Sequence, residues 1–184
     1  MSTKPAVYDQ ELFKFRFDNG SETTATWMAD ININPTNKPN IIFRLRFLIQ
    51  QTLASANAEL SWNFKLKYSL NGAAYIDTGA QGSTSIIQYA NSPNITDNEV
   101  TTQQLGAGTF VAGAVDENGD TGTIVFAAAG ISESEIEFVL ILNGAQFTDN
   151  STLNIRAYKT SDVALNTYTT TPIITRTSRK ILLG

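Results

Sequence analysis

The sequence predicts an all-β protein, an antiparallel β-sandwich of eight to nine strands with jelly-roll or immunoglobulin-like connectivity and terminal arms. Three observations lead to this prediction. The composition is rich in Thr, Asn, Ser, Gly and Phe, which suits half-buried strands joined by tight turns. Apolar and polar residues alternate in several segments. No convincing amphipathic helical pattern separates those segments, so helix is expected only in short pieces, around residues 54–58.

The clearest strand is predicted at residues 60–68, where five apolar residues alternate with four polar ones. A period of two places one strand face against a core and the other face in water. The pair Asn71 and Gly72 follows, and Asn-Gly is preferred in two-residue hairpin turns. Residues 75–77 are therefore expected to return as the second strand of a hairpin.

Other segments predict the remaining strands. The same clean alternation occurs at residues 13–17, 43–49 and 153–158. Less regular candidates occur at residues 84–89, 109–111, 123–128, 135–142 and 168–175. The last of these contains Pro172, which cannot donate a ladder hydrogen bond and so favours a sheet edge.

The length of 184 residues has room for one domain with arms. We predict an N-terminal arm at residues 1–11, the sandwich domain at residues 12–175 and a C-terminal arm at residues 176–184. The two ends are assigned as arms because neither follows the strand pattern and both carry charges beside isolated apolar side chains.

The composition excludes several classes of function. Cysteine and histidine are both absent, which excludes disulfides, Cys/His zinc sites and Ser-His or Cys-His catalysis. We expect no enzyme and no cofactor. Charged residues make up 16% of the chain with a net charge of -4, too few and too balanced for a disordered tail or a nucleic-acid coat. The sequence shows neither a membrane span nor the apolar core of a secretory leader.

Charge is unevenly distributed along the chain. Residues 68–155 contain ten acidic residues and no basic one, whereas the rest contains 13 basic and 7 acidic residues. Many basic residues occur in pairs two positions apart on predicted strands, on the side opposite the core. The pairs are Lys14 with Arg16, Arg44 with Arg46, and Lys65 with Lys67.

Two interpretations of these pairs remain open. Glu135 and Glu137 are also two positions apart, and they could form ordinary cross-strand ion pairs with one of the basic pairs. Alternatively, the basic pairs form a cationic outer face that binds a charged surface or copies of the chain. Nucleic acid is not the expected partner, because no nucleic-acid motif and no interleaved exposed aromatic residues accompany the pairs.

Residues 91–120 are the loop most expected to touch a partner, because such long connections usually have a function. Within this loop, residues 116–120 resemble the start of a calcium site, but the glycine and the closing glutamate are misplaced, and an Asn-Gly turn is favoured. Trp62 and Tyr68 are in phase with the core residues of their strand. Trp27 is less determined and is a candidate sugar-stacking platform.

The C-terminal segment combines three cations with three large apolar residues. It is either a final strand or an arm that becomes ordered on a neighbouring subunit. The arm is favoured because an exposed Ile-Leu-Leu run would otherwise promote aggregation. Its candidate contact residues are Arg176, Arg179, Lys180, Ile181, Leu182 and Leu183.

Four framework segments resemble β-sandwich structural proteins of tailed bacteriophages. They are residues 15–27 (FRFDNGSETTATW), 43–50 (FRLRFLIQ), 62–75 (WNFKLKYSLNGAAY) and 101–113 (TTQQLGAGTFVAG). The resemblance spans residues 13–175 and carries no functional residue across. It implies a virion component, either a capsid decoration (cement) protein or a head-fibre or tail-associated protein, made in the host cytoplasm.

The expected function is therefore non-enzymatic: capsid decoration at the virion surface, with the major capsid protein and copies of the chain, as a homotrimer, as partners and no nucleic acid or membrane. This hypothesis predicts arms that are ordered only against other chains. The alternative is a glycan-binding or receptor-binding module on a head fibre or tail. It predicts that Trp27 or Tyr89 lies outside the core and that a concave site exists near residues 91–120.

Overall fold

The computed structural model describes residues 6–36, 39–53, 60–128 and 130–177, and in these ranges the protein is all-β without a helix. The strands are β1 (Val7–Phe17), β2 (Ile42–Thr52), β3 (Ser61–Trp62), β4 (Phe64–Leu70), β5 (Ile76–Asp77), β6 (Ile87–Tyr89), β7 (Phe110–Val111), β8 (Val115–Asp116), β9 (Ile124–Val125), β10 (Ile131–Leu142), β11 (Thr152–Lys159), β12 (Thr167–Tyr168) and β13 (Ile173–Thr175).

The strands form two main sheets and one short ribbon. The first sheet has the order β12-β1-β2-β10-β6, and β7 and β8 also pair with β10. Its long central strands β1, β2 and β10 are antiparallel, whereas the two-residue strands β12, β7 and β8 pair in parallel. The second sheet has the order β13-β11-β4-β5, and β3 pairs with β9.

Inward-facing side chains of both main sheets meet in one apolar cluster. On β4, Phe64 and Leu66 are fully buried and Tyr68 is nearly so, while the residues between them reach solvent. Phe47 of β2 and Phe138 of β10 contact each other edge to face in the same cluster. The predicted alternation on these strands is therefore confirmed, because every second side chain enters the shared core.

The hairpin predicted at Asn71 and Gly72 is confirmed. Both residues have positive φ, 51° and 80°, as the turns that match the twist of paired strands require. Asn71 tolerates this conformation because its side chain accepts a hydrogen bond from the Thr152 N–H. After the turn, Ile76 pairs with Tyr68, so that β5 returns beside β4.

Other strand predictions are confirmed with changed boundaries. The segment 60–68 is divided at Asn63 into β3 and β4. The segment 168–175 is divided around Pro172 into β12 and β13, and each lies at the edge of a main sheet, as the proline predicts. The described part of the chain has more strands than the expected eight to nine because six of them span only two residues.

The ends differ from the predicted arms. β1 begins at Val7, so residues 7–11 belong to the first sheet and not to an arm. Tyr8 explains this extension, because its ring packs in the core beside Phe126 at 5.2 Å. Arg176 contacts the body of the protein, as described below. Residues 178–184, like the helix expected at residues 54–58, lie outside the described ranges.

Candidate functional site

The outer face of the first sheet is covered, although the sequence suggested a cationic surface there. Arg16, Arg44 and Arg46 have no exposed surface. Backbone carbonyls of two loops lie over them: the Arg44 guanidinium donates to Gly20, and that of Arg46 donates to Thr102 at 3.1 Å. The prediction of an exposed cationic face is wrong for these three arginines, because loops and acidic side chains enclose them.

The three arginines converge on one carboxylate. Glu137 on β10 accepts a hydrogen bond from Nε of Arg46 at 2.6 Å and lies 3.1 Å from Nη1 of Arg44 and 3.3 Å from Nη1 of Arg16. Glu137 is the register partner of Arg46. The alternative interpretation, cross-strand ion pairs between the basic pairs and the Glu135–Glu137 pair, is therefore confirmed, but the pairs are buried and not at the surface.

Loop residues complete this cluster. Glu135 accepts a hydrogen bond from Nη1 of Arg46 at 3.1 Å, and its Oε1 also accepts the N–H groups of Gln104 and Leu105. Glu22 lies between Arg46 and the Thr102 N–H, which donates to it at 2.9 Å. We call this set the arginine cluster. Its members are Arg16, Arg44, Arg46, Asp18, Glu22, Glu135 and Glu137.

The pKa shifts of Glu22 and Arg46 favour their ionised forms, whereas burial lowers the pKa of Arg16. Burial alone would raise the pKa of Glu22, but hydrogen bonds from the Thr102 N–H and Arg46 outweigh it and lower that pKa. Burial opposes the charge of Arg46 as well, yet Glu137 and Glu22 hold its pKa above the usual range. The cluster therefore joins the loops around residues 18–27 and 101–106 to the sheet, and its buried arginines present no surface to a partner.

Trp27 lies on the solvent side of the arginine cluster. Its half-buried ring is 4.0 Å from the Arg16 guanidinium and 4.7 Å from Nζ of Lys14. Tyr89, in contrast, is a core residue with 4% exposure, and its hydroxyl accepts the Leu66 N–H. The expectation of the receptor-binding hypothesis thus fails for Tyr89, while Trp27 does lie outside the core cluster, stacked on cations.

The outer face of the second sheet reaches solvent and is aromatic as well as cationic. The Arg156 guanidinium lies 4.2 Å from the Tyr168 ring and 4.8 Å from the Tyr75 ring. The Tyr158 ring lies 6.0 Å from Tyr75 and 6.2 Å from Tyr168. All four side chains are half-buried. We call these four residues the tyrosine face.

Two lysines border the tyrosine face. Nζ of Lys65 lies 2.6 Å from Asp162 and 2.9 Å from Asp77, and Nζ of Lys67 lies 2.8 Å and 3.4 Å from the same carboxylates. Hydrogen bonds from Lys65 and then Lys67 lower the pKa of Asp162 to about 2. The structure thus places Lys65 and Lys67 on an outer face, as predicted, with two exposed carboxylates above them.

Local sequence explains this face only in part. Arg156 and Tyr158 are two positions apart on β11, opposite Lys67 and Lys65 of β4, so alternation sends all four to the same side. Sequence reasoning did not single out Arg156 or the three tyrosines. The spacing of Arg156 and Tyr158 could have indicated a shared outer face. The position of Tyr168, in contrast, depends on the long-range pairing of β12 with β1.

The acidic loop is held by its own backbone. Asp116 is buried, and its carboxylate accepts the N–H groups of Asn118, Gly119 and Asp120. Burial raises the pKa of Asp116 to about 6 despite these hydrogen bonds. Gly119 has a φ of +101°, which agrees with the predicted Asn-Gly turn. Within the described ranges, no group of three or more His, Cys, Asp or Glu side chains could hold a metal ion.

The long loop also borders a depression of about 290 Å³, near the place where the receptor-binding hypothesis expects a concave site. Its lining includes Asn98, Val100, Thr121 and Ile124, and none of the described lining residues is aromatic. Val100 is 64% exposed beside it. This depression has no ring on which a sugar could stack.

Arg176, the first residue of the predicted C-terminal arm, contacts the body of the protein. Its Nε lies 2.9 Å from Asp149, and its Nη1 donates to the carbonyls of Gly144 and Phe147. The other predicted contact residues of the arm, from Arg179 to Leu183, lie outside the described ranges.

Comparisons of this chain with known protein families, with curated proteins and with solved structures found no match. None of the described segments is a helix of the length and hydrophobicity that a membrane crossing requires. The fold and the two outer faces therefore define the class of protein: an all-β protein with one face enclosed by its own loops and one aromatic, cationic face in contact with solvent.

Proposed function

We propose that this chain is a non-enzymatic virion structural protein, a capsid decoration protein that binds the outer surface of a tailed-phage capsid. The two main sheets form a β-sandwich of jelly-roll or immunoglobulin-like connectivity in this proposal. The major capsid protein is the partner, together with copies of the chain in a homotrimer. The observation that carries the proposal is the tyrosine face, which we assign as the contact surface for the capsid.

The composition of the tyrosine face is that of a protein interface. Tyrosine and arginine are enriched in interface cores and among the residues that dominate binding energy. Tyrosine offers a large contact area with few rotatable bonds. Arg156 is already held between two rings before any partner binds, and such preorganisation lowers the entropy cost of association.

The contrast between the two outer faces supports this assignment. A partner on the first sheet would have to displace loops that are tied to buried arginines, whereas most pre-organised complexes form with little backbone movement. On the second sheet, Arg156 and Tyr158 of β11 are half-buried and keep contact with solvent. A broad strand face of this kind fits a lattice surface better than it fits a small ligand.

A second candidate function remains: a glycan-binding or receptor-binding module of a head fibre or tail. The specific observation in its favour is the position of exposed Asp77 and Asp162 near half-buried tyrosine rings. Sugars stack on such rings while their hydroxyl groups donate to carboxylates. This candidate uses the same face with a different partner.

Co-sedimentation with capsids tests the proposal. Capsids of the phage from which the sequence derives, prepared without this protein, are mixed with the wild-type chain or with the double variant Tyr75→Ala/Tyr158→Thr. We expect the double variant to bind at least about tenfold more weakly, because interface tyrosines commonly contribute more than 1 kcal/mol each. Trp27→Ala on the opposite face is the matched control and should bind like the wild type.

The outcomes separate the candidates. Undiminished capsid binding by the double variant would contradict the assigned contact surface. Absence of binding by the wild type would contradict the proposal that the capsid is the partner. Hits of the wild type on a glycan array that disappear in the same double variant would favour the receptor-binding module. Thermal unfolding of each variant controls for loss of fold.

A further inference from the structure

An apolar pocket of about 450 Å³ opens at the end of the first sheet where β1 ends and β2 begins. It is lined by Phe17, Met28, Pro35, Thr36, Ile41, Ile42 and Phe43. All but one of these side chains are apolar. Phe17 is 44% exposed and Ile41 is 55% exposed, so that large apolar groups at this pocket remain in contact with water.

The pocket is built by strand pairing and by one returning loop. Phe17 and Phe43 are register partners on β1 and β2, which places their side chains at the same sheet end. The Met28 N–H donates to the Phe15 carbonyl at 2.9 Å, which brings the loop after β1 back against this end. The pocket is therefore a preformed feature of the fold, with a volume in the range of ligand sites.

Two of the last described residues are linked by hydrogen bonds to neighbours of the lining residues. The Ile173 N–H donates to Oδ1 of Asn34 at 2.8 Å, and Asn34 directly precedes the lining residue Pro35. Farther along, Arg176 donates to the Gly144 carbonyl at 2.9 Å, and the Gly144 N–H donates to Oδ1 of Asn40 at 3.1 Å. Asn40 directly precedes the lining residue Ile41. The chain before residue 177 is thus linked to the two lining segments, directly at Asn34 and through Gly144 at Asn40.

The sequence that follows is complementary to the pocket. Seven residues, SRKILLG, follow Thr177, and an extended segment of that length reaches roughly 23 Å. It contains three consecutive large apolar residues. We propose that Ile181, Leu182 and Leu183 of the same chain occupy the apolar pocket, with Arg179 and Lys180 at its solvent side.

Two arguments favour the same chain over a second copy. A tether of only a few residues gives the segment an effective concentration in the millimolar range, well above that of a separate chain in dilute solution. The residues before the segment are already fixed beside the pocket by the Asn34 and Gly144 contacts, which reduces the entropy lost when the segment binds. The same burial would remove the exposed apolar surface of Phe17 and Ile41.

Paramagnetic broadening tests this proposal on the full chain. The protein contains no cysteine and only two methionines, Met1 and Met28. A nitroxide can therefore be attached at Gly184→Cys alone. The broadening that it causes is then observed in just two signals, those of the carbon-13 labelled methionine methyl groups. Met28 lines the pocket, and its intensity after chemical reduction of the nitroxide provides the reference. We expect the Met28 signal to lose most of its intensity relative to that diamagnetic reference.

A matched variant and a mixing experiment make the result decisive. The variant Ile181→Asn/Leu182→Asn/Leu183→Asn keeps the tether and the nitroxide, and it should restore the Met28 signal. Absence of broadening in the parent chain, or equal broadening in the variant, would overturn the proposal. Nitroxide-labelled chains are also mixed with isotope-labelled chains that carry no nitroxide. Broadening of Met28 there would assign the pocket to a second copy's segment and would equally overturn it.

Discussion

The outer faces of the two main sheets start from the same sequence pattern and end in opposite environments. β1, β2 and β4 each carry two cations that are two positions apart, opposite the core-facing residues. On the first sheet Arg16, Arg44 and Arg46 are enclosed with carboxylates, whereas on the second sheet Lys65 and Lys67 keep contact with solvent. The two outer faces differ because their acidic residues come from different parts of the fold.

On the first sheet, the acids come from a neighbouring strand and from loops that cross over the face. Glu137 lies in the middle of β10, and Glu22 is carried by the loop after β1. On the second sheet, the acids Asp77 and Asp162 are themselves more than half exposed, and Lys65 and Lys67 beneath them keep some contact with solvent. A pair of strand cations therefore indicates an outer face but does not tell whether a loop covers it.

The largest expected effect is on the central carboxylate of the arginine cluster. Glu137→Gln should lower the free energy of unfolding by about 3–5 kcal/mol, because it leaves three buried guanidinium groups without their shared counter-charge. Urea denaturation at neutral pH measures this loss. An unchanged midpoint would mean that the arginine cluster contributes nothing to stability.

The second prediction concerns Asp116, a buried acid whose carboxylate is held by backbone N–H groups. Its pKa is raised to about 6 from 3.8. Between these two pH values, the folded state therefore keeps a proton that the unfolded state releases. Its contribution to stability is therefore present below pH 4 and is lost as the pH rises to 6. Asp116→Asn keeps the oxygen acceptor without the charge and should stabilise the protein by up to about 3 kcal/mol above pH 6.

Urea denaturation of wild type and Asp116→Asn at several pH values between 4 and 8 checks this expectation. The difference between the two free energies of unfolding should grow with pH across that window and then level off. Asp120→Asn removes a carboxylate from the same loop and is the control for the loss of a negative charge there. A constant difference for Asp116→Asn would contradict the assigned cause, burial of an uncompensated charge.

A smaller effect is expected at Glu22, which ties one loop to the arginine cluster. The pKa of Glu22 is lowered in the folded protein, so its contribution is present at neutral pH and is lost as the pH falls below its usual value of 4.5. Glu22→Gln should cost about 1.5–3 kcal/mol at pH 7, the range for hydrogen bonds to charged groups. Amide hydrogen exchange at residues 18–27 should accelerate in the variant. An unchanged exchange rate would contradict the claim that Glu22 holds this loop against the arginine cluster.

The smallest effect is expected on the open face. Asp162→Asn removes a carboxylate that contacts both Lys65 and Lys67, but this carboxylate is solvent-exposed and screened. Its effect on the urea midpoint should be far smaller than that of Glu137→Gln. A comparable loss for both variants would show that the two faces do not differ in the way described here.

Much of the strand framework could be predicted from the sequence, because alternation and turn residues are local signals. The hairpin at Asn71 is one example, and the pairing of Glu137 with a strand arginine is another. The enclosure of Arg44 and Arg46 could not be predicted, since it depends on loops from residues 18–27 and 101–106 that meet over the sheet. These contacts join residues far apart in the chain.

The candidate site was predicted least well. Lys65 and Lys67 were correctly placed on an outer face, but the tyrosine face around them was missed. Tyr75 comes from a hairpin, Tyr158 from β11 and Tyr168 from an edge strand of the other main sheet. No single segment contains the pattern, so that only the three-dimensional arrangement brings the rings together.

A cryo-electron microscopy reconstruction of the decorated particle is the measurement that bears most directly on the proposed function. It should show the chain on the outside of the capsid with Arg156 and Tyr158 against the shell and the loops over the arginine cluster facing outward. A particle in which the tyrosine face points to solvent, or from which this chain is absent, would contradict the proposal.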